Sequence, residues 1–389
     1  MTMTTNCNAL RGGVGRDERA LRRALSWVFD AGDPVVTGGI VDSDPETMWR
    51  DALAGDLGGG AQRRAKAYDP EGLAVLARRS NTRFVIPGDD EWPDQIGSLT
   101  LSEPINQRGG TPVGLWVRGA GHLREWTAQA VAVVGARACS PYGQECAADL
   151  GAGLAEAGWT VVSGGAYGID IAAHRGALAA GAGSRTVAVL AGGPDVEYPR
   201  GNLLVLQRLA EEHLIVSEVP PGCRPTRIRF LARNRLIAAL SAGTVMVEAA
   251  ARSGARNTMA WCESLGRVAM AVPGSVFSAL SVGPHLLLKD HRAQVVTGPD
   301  DVLELVSPMG TGLTTSPRGA ATRLDELPAD LLAVYEALPR RGYRTAGEVS
   351  LATGVTVPAA LAALGALELQ GLAEPSEGGW RAVMTGAVG

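Results

Sequence analysis

The stretch from Ser163 to His174, SGGAYGIDIAAH, constrains this chain most. An apolar run from Trp159 to Ser163 precedes it and reads as a buried strand. Residues 169–181 follow and read as a helix, with Asp170 near its first turn. Glycines therefore sit where a strand hands over to a helix. Such a turn aims free backbone N–H groups at one point and sets a helix N-terminus behind them, which suits a phosphate. Glycines at this place also serve tight helix–strand packing alone. The loop by itself leaves both readings open.

Neighbouring segments repeat the pattern. AVAVVGAR, from Ala130 to Arg137, is another strand ending in glycine and arginine, and Ser140-Pro141-Tyr142-Gly143 opens a second helix. Right-handed crossovers put both loops on one edge of a parallel sheet, where open α/β sheets bind their ligands. Strands are expected at 130–134, 160–163, 186–190, 214–217, 244–248 and 267–272. Helices at 144–157, 169–180, 202–212, 231–240 and 256–265 fall between them. That rhythm predicts an α/β fold with a doubly wound parallel sheet. The loop 192–202 carries Asp195 and Glu197, carboxylates more typical of turns than of catalysis. Segments 253–258 and 272–275 add further loops to the same edge.

The chain has 389 residues, enough for two or three domains, and its 46% hydrophobic and 20% charged residues suit a soluble protein with a sizeable core. Cys7, Cys139, Cys146, Cys223 and Cys262 are scattered with no CxxC pair, so neither a zinc site nor a disulfide framework is expected. No signal-peptide core is apparent, and no run approaches the ~20 apolar residues of a membrane span. A cytoplasmic location without membrane contact is the expectation.

Residues 1–92 read as a helical module, with helices near 17–31, 48–57 and 71–79 broken by the glycines of 55–60. The α/β core should occupy 93–310 and a linker 311–324. Residues 325–389 suggest a winged helix, with helices at 328–338, 345–353 and 358–370 and a two-stranded wing. A groove-binding helix needs phosphate contacts. Here the segment 322–389 is net −3, and its presumed recognition helix has no arginine or lysine. A protein-contact or regulatory role is expected for it.

RPTRIRFLARNR, residues 224–235, holds five arginines and no acid. A solvated surface is the commoner fate of such a run. This one leads into a helix at a strand–helix edge and includes Phe230. Arginine forks pair with phosphate oxygens, and aromatic faces accept unpaired bases. His174, on an alanine-rich helix, is expected to be packed or hydrogen-bonded rather than a catalytic base.

The ordered series VVGAR, SGGAYGIDIAAH, YPRGN, SEVPPG, FLARNRLIAALS, VEAAARSGARNT and VPGS resembles the DprA/Smf family, the DNA-processing proteins of bacterial transformation and recombination. The resemblance covers about 93–308. It implies an extended Rossmann-like core that binds single-stranded DNA in a positive pocket, forms homodimers and hands the strand to the recombinase RecA. It makes Arg137 a phosphate-binding arginine and Arg200 and Asn202 backbone or base contacts. It points to Arg233, Asn234 and Arg235, with Gly164 and Gly165 as backbone donors. Gly135, Ser140, Ser163 and Tyr167 complete the candidate set. Tyr167 stands where a basic residue is common, and Leu231 where proline is common. No catalytic residue, metal or cofactor is expected.

The rival is a nucleotide phosphoribohydrolase of the same fold superfamily, using Gly243, Thr244, Glu248 and Arg233. The chain lacks the PGGxGT loop of such enzymes. A dinucleotide oxidoreductase is disfavoured because Gly135 has no GxGxxG around it, and no GxxxxGK[ST] loop supports an ATP motor.

Overall fold

The computed structural model describes residues 16–308, 324 and 327–383. It opens with five helices: α1 (Arg16–Val28), α2 (Pro34–Asp42), α3 (Pro45–Ala54), α4 (Gly59–Lys66) and α5 (Pro70–Arg79). Three of them start on the same device. Asp33, Asp44 and Asp69 each precede a proline and accept a first-turn N–H, from Val35, Thr47 and Gly72. The side chain satisfies an orphan donor while proline, which has none, takes the first helical position. The glycine-rich stretch read as an interruption contains both a stop and a start. Gly55, at φ 101°, ends α3, and Gly59 and Gly60 begin α4.

The next elements are β1 (Thr82–Val85), β2 (Leu115–Arg118), α6 (Leu123–Thr127), β3 (Ala130–Val134), α7 (Pro141–Glu156), β4 (Thr160–Ser163) and α8 (Ile169–Ala179). They lead to β5 (Arg185–Leu190), α9 (Leu203–Glu212), β6 (Leu214–Ser217), α10 (Arg227–Ala239), β7 (Gly243–Met246) and α11 (Ala255–Ser264). Finally come β8 (Val268–Ala271), α12 (Val282–Lys289), β9 (Gln294–Val295) and α13 (Pro299–Val306). The strands form one sheet in the order β1-β2-β6-β5-β4-β3-β7-β8-β9.

From β6 to β9 every pairing is parallel, as expected. The sheet as a whole is mixed, because β1 and β2 add an antiparallel edge. Neither strand was expected from the sequence. TRFV and LWVR each include an arginine, so neither reads as a continuous apolar run. β1 lies inside the segment read as a helical module and nevertheless pairs into the core sheet.

Side chains of β3 alternate between two buried faces. Ala130, Ala132 and Val134 join the core under α10 and α11, and Val131 and Val133 join the core under α7 and α8. Double-sided burial is why these strands read as continuous apolar runs. β3 has β4 on one side and β7 on the other, so the chain winds away from it in both directions. That is the topological switch point, and the loops after β3 and β7 part there.

The chain divides into two compact units, Met1–Thr314 and Thr315–Gly389. The second contains α14 (Ala329–Glu336), α15 (Ala346–Thr353), α16 (Val357–Leu369) and an antiparallel hairpin of β10 (Ala373–Ser376) and β11 (Gly379–Ala382). Its core includes Val334, Val349, Leu364, Leu367 and Leu372. Thr345 and Glu348 form a reciprocal capping box at the start of α15. Residues 311–323 of the expected linker lie outside the described residues. No single helix among the described residues is long and apolar enough to cross a membrane.

Candidate nucleic-acid interface

Three loops are laced together at the carboxyl edge of the sheet. Ala136 N donates to Glu248 O at 2.6 Å, and Ile169 N donates to Ala136 O at 3.2 Å. The loops after β7, β3 and β4 are thus tied backbone to backbone. Gly168 permits the approach. It sits at φ 77°, and a Cβ there would lie 2.1 Å from Ala136 O. Glycine is required on both counts.

Between these loops and α10 lies a cleft of about 760 Å³. Its lining includes Gly135, Arg137, Asp170, Tyr198, Phe230, Arg233 and Asn234. A smaller recess adjoins it, lined by Arg137, Gly164, Tyr167, Tyr198 and Phe230. The ridge shared by both is aromatic and cationic. The exposed Arg137 guanidinium lies 4.7 Å from the Phe230 ring centroid, and the Tyr198 ring lies 5.9 Å from the same ring. Tyr198 and Tyr167 are each about half exposed. The Tyr167 hydroxyl accepts Gly201 N at 3.2 Å, which fixes the tyrosine beside Arg200.

The arginine-rich run is helical over most of its length. α10 begins at Arg227, capped by Thr226, four residues before the expected start. Leu231 therefore lies inside the helix rather than at its entry. Helical spacing spreads the basic residues around α10, and their neighbours decide what each one meets. Arg227, Phe230, Arg233 and Asn234 face the cleft. Arg229 turns away and binds Asp30 from Nε and Nη2 at 3.1 and 3.0 Å.

Arg233 is buried, donates to Val189 O at 3.0 Å and leaves its Nε without a partner. Burial lowers its pKa to about 10, against the attraction of Asp170. Asp170 in turn is pushed upward by burial, while Arg233 and the backbone N–H groups of Ala166 and Gly164 oppose that shift. Asp170 lines the cleft as the buried counter-charge to Arg233, where the sequence suggested only a first-turn acid. A buried arginine needs a counter-charge close by, and that requirement was the available signal.

Several candidates are held away from the cleft. Arg235 is fully buried. It gives two 2.7 Å bonds to Glu218 and one each to Ala232 O and Gly110 O, so it is a clamp and not a ligand contact. Ser140 caps α7, and its hydroxyl and N–H both donate to Glu248. The Ser163 hydroxyl donates to Val133 O. Asn202 donates to Gly165 O and holds the glycine turn from behind. The Gly164 N–H helps hold the Asp170 pKa down against burial. Asn234 lines the cleft while bonding Asn257 at 3.1 Å. Arg200 is exposed, outside both recesses.

The loop carboxylates behave as turn residues. Asp195 accepts Gly222 N at 2.8 Å, and Glu197 accepts the Gln207 amide at 3.2 Å. His174 is fully buried against Thr186 at 2.7 Å. The Thr186 hydroxyl donates to Val161 O, so His174 must donate from Nδ1. Among the described residues no cluster of three or more His, Cys, Asp or Glu side chains could hold a metal.

The sequence profile of the DNA recombination-mediator protein A family matches residues 83–307. The chain belongs to this family. It is 47% identical over 317 residues to the putative DNA processing protein DprA of Mycobacterium tuberculosis, covering 81% of this chain and 80% of that one. It is 33% identical over 222 residues to protein Smf of Escherichia coli, covering 57% and 56%. The X-ray structure of DprA from Streptococcus pneumoniae matches with TM-score 0.62 and 30% identity, over 75% of this chain and 98% of that one. As a DprA/Smf protein, the chain is placed with DNA-processing proteins rather than with nucleotide hydrolases. Tyr167 places an aromatic ring in the smaller recess beside the glycine turn.

Proposed function

We propose that the chain binds single-stranded DNA along the carboxyl edge of its sheet and does no covalent chemistry there. One observation carries this reading: the Arg137–Phe230 stack at the mouth of the cleft, flanked by Tyr198 and Arg233. Cations neutralise phosphates in any nucleic acid. Exposed ring faces are useful only to bases that are already unstacked, as in a single strand. Arg137 and Arg227, both exposed, supply phosphate contacts, and Tyr167 and Tyr198 offer stacking faces.

The hydrolase reading is not favoured. Glu248 is 2% exposed, and its two oxygens are both engaged by Ser140. Thr244 is fully buried within β7. Neither can meet a substrate in this arrangement.

The family resemblance extends the proposal to homodimers and to delivery of the strand to RecA. The C-terminal unit is read as a winged-helix-like module that contacts protein. α16 carries no arginine or lysine and exposes Leu361 and Leu369.

Fluorescence anisotropy with a short oligonucleotide and its matching duplex tests the reading, using the full chain and the chain lacking 325–389. Tighter binding of the single strand, weakened by Arg137→Ala, is expected. Preference for the duplex contradicts it, and release of free base from nucleoside monophosphates supports the hydrolase.

A further inference from the structure

The exposed aromatic rings of the first unit are not scattered. Among its described residues they are Tyr142, Tyr167, Tyr198 and Phe277. Each follows the carboxyl end of a parallel strand: β3, β4, β5 and β8 respectively. A lone exposed ring on a soluble protein needs no explanation. Collection of all of them on the edge that carries the cleft does.

Phe277 is the extreme case, at 97% exposed, with Val276 beside it at 79%. The loop that presents it is well tied. Tyr142 Oη donates to Pro273 O at 2.7 Å, and His285 Nε2 donates to Gly274 O at 3.1 Å. Ser278 N donates to Ser275 O at 3.0 Å, closing the turn at the tip. The backbone is thus fixed while the ring is left in water.

The loop is also continuous with the cleft. Leu280 lines the cleft, and its carbonyl accepts Ala249 N at 2.7 Å, which joins the β8 loop to the β7 loop. Exposed Arg252 and Arg256 stand on or just after that β7 loop. No acidic residue occurs between Arg267 and Lys289, so the β8 loop adds no repulsion for a phosphate backbone.

We infer that Phe277 is a second stacking station for the same DNA strand, beyond the cleft. This rests on the single-strand reading above. The strand would run across the carboxyl edge from Tyr198 at β5 to Phe277 at β8. Four strand spacings separate these strands, about 19 Å, a span that needs several nucleotides. Tyr142 braces the loop through its hydroxyl, which makes it a positioning residue.

Binding of oligothymidylates of about 6 and about 20 nucleotides, lengths chosen to fill the cleft alone or to overrun it, tests the inference. Phe277→Ala should bind the shorter like the unaltered chain and the longer about 5- to 140-fold more weakly, the range for losing one base stack. Phe277→Tyr should restore the longer. Unchanged affinity for the longer strand, or equal loss on both, overturns the second station. A change in sedimentation of the variant without a change in DNA binding assigns the ring to a protein contact and overturns it too. Failure of the unaltered chain to bind either length is a different result, because it removes the single-strand reading itself.

Discussion

Glu218 holds Arg235 through both carboxylate oxygens, each 2.7 Å from a guanidinium nitrogen, with Arg235 fully buried and Glu218 nearly so. Glu218 also accepts Gly32 N, and Arg235 also donates to Gly110 O. The pair therefore ties the back of α10 to the α1–α2 turn and to the segment before β2. Removing one partner strands a buried charge. Arg235→Ala should cost about 3–5 kcal/mol of stability, read from urea denaturation. A loss below ~1 kcal/mol would show that the clamp is not buried as described.

Phe230 and Arg137 make a coupled pair at the cleft mouth. Phe230→Ala should weaken single-strand binding by about 1–3 kcal/mol, with little loss of fold because the ring is only half-buried. Arg137→Ala should weaken it as well, and the double variant should lose less than the sum of the two. Strict additivity in the binding cycle would argue that the two residues act on separate parts of the strand.

Gly164 lies against Arg233. A Cβ at residue 164 would sit 1.6 Å from Arg233 Nη1. Gly164→Ala should therefore displace a buried guanidinium and reduce single-strand affinity, even where the secondary structure is kept. Anisotropy together with circular dichroism checks this. Full affinity in a folded variant would place Arg233 outside the binding surface.

His174 makes stability depend on acid. Burial is the largest cause lowering its pKa, from 6.5 to about 3. The folded protein keeps the ring neutral, and the unfolded chain protonates it below its ordinary value. Its contribution is fully present above that value and is lost as pH falls toward the folded one. The slope in between is on the order of 1.4 kcal/mol per pH unit. His213, also lowered by burial, tilts the curve the same way. His174→Asn should flatten the fall in urea midpoint between neutral and mildly acidic pH. Parallel curves for the two proteins would contradict this.

The parallel strands were legible because both faces are buried, so β3, β4 and β6 stand out as apolar runs ended by glycine or serine. β1 and β2 were not, since each includes an arginine that breaks the apolar run, and their pairing is set by tertiary contact. α4 was hidden by Gly59 and Gly60, which local propensity disfavours in a helix. In the site, the arginine run was visible but its faces were not. The early start of α10 brings Arg227, Arg229 and Phe230 onto the helix, and tertiary packing sets Arg233 toward the cleft while Arg229 and Arg235 hold the scaffold. Tyr198 and Asp170 were present in quoted motifs, yet their roles depend on neighbours distant in sequence. Arg200 and Asn202 share one motif, and the fold separates them into an exposed cation and a buried brace.

The central claim is that several arginines at the sheet edge contact the phosphates of a single strand. A salt titration of oligothymidylate binding measures this most directly. Each phosphate neutralised contributes about −0.7 to the slope of log affinity against log salt. The unaltered chain should give a slope steeper than about −2, and Arg137→Ala with Arg227→Ala should make it shallower by about 1.4. An affinity that ignores salt, or a slope that the double variant leaves unchanged, would contradict the account.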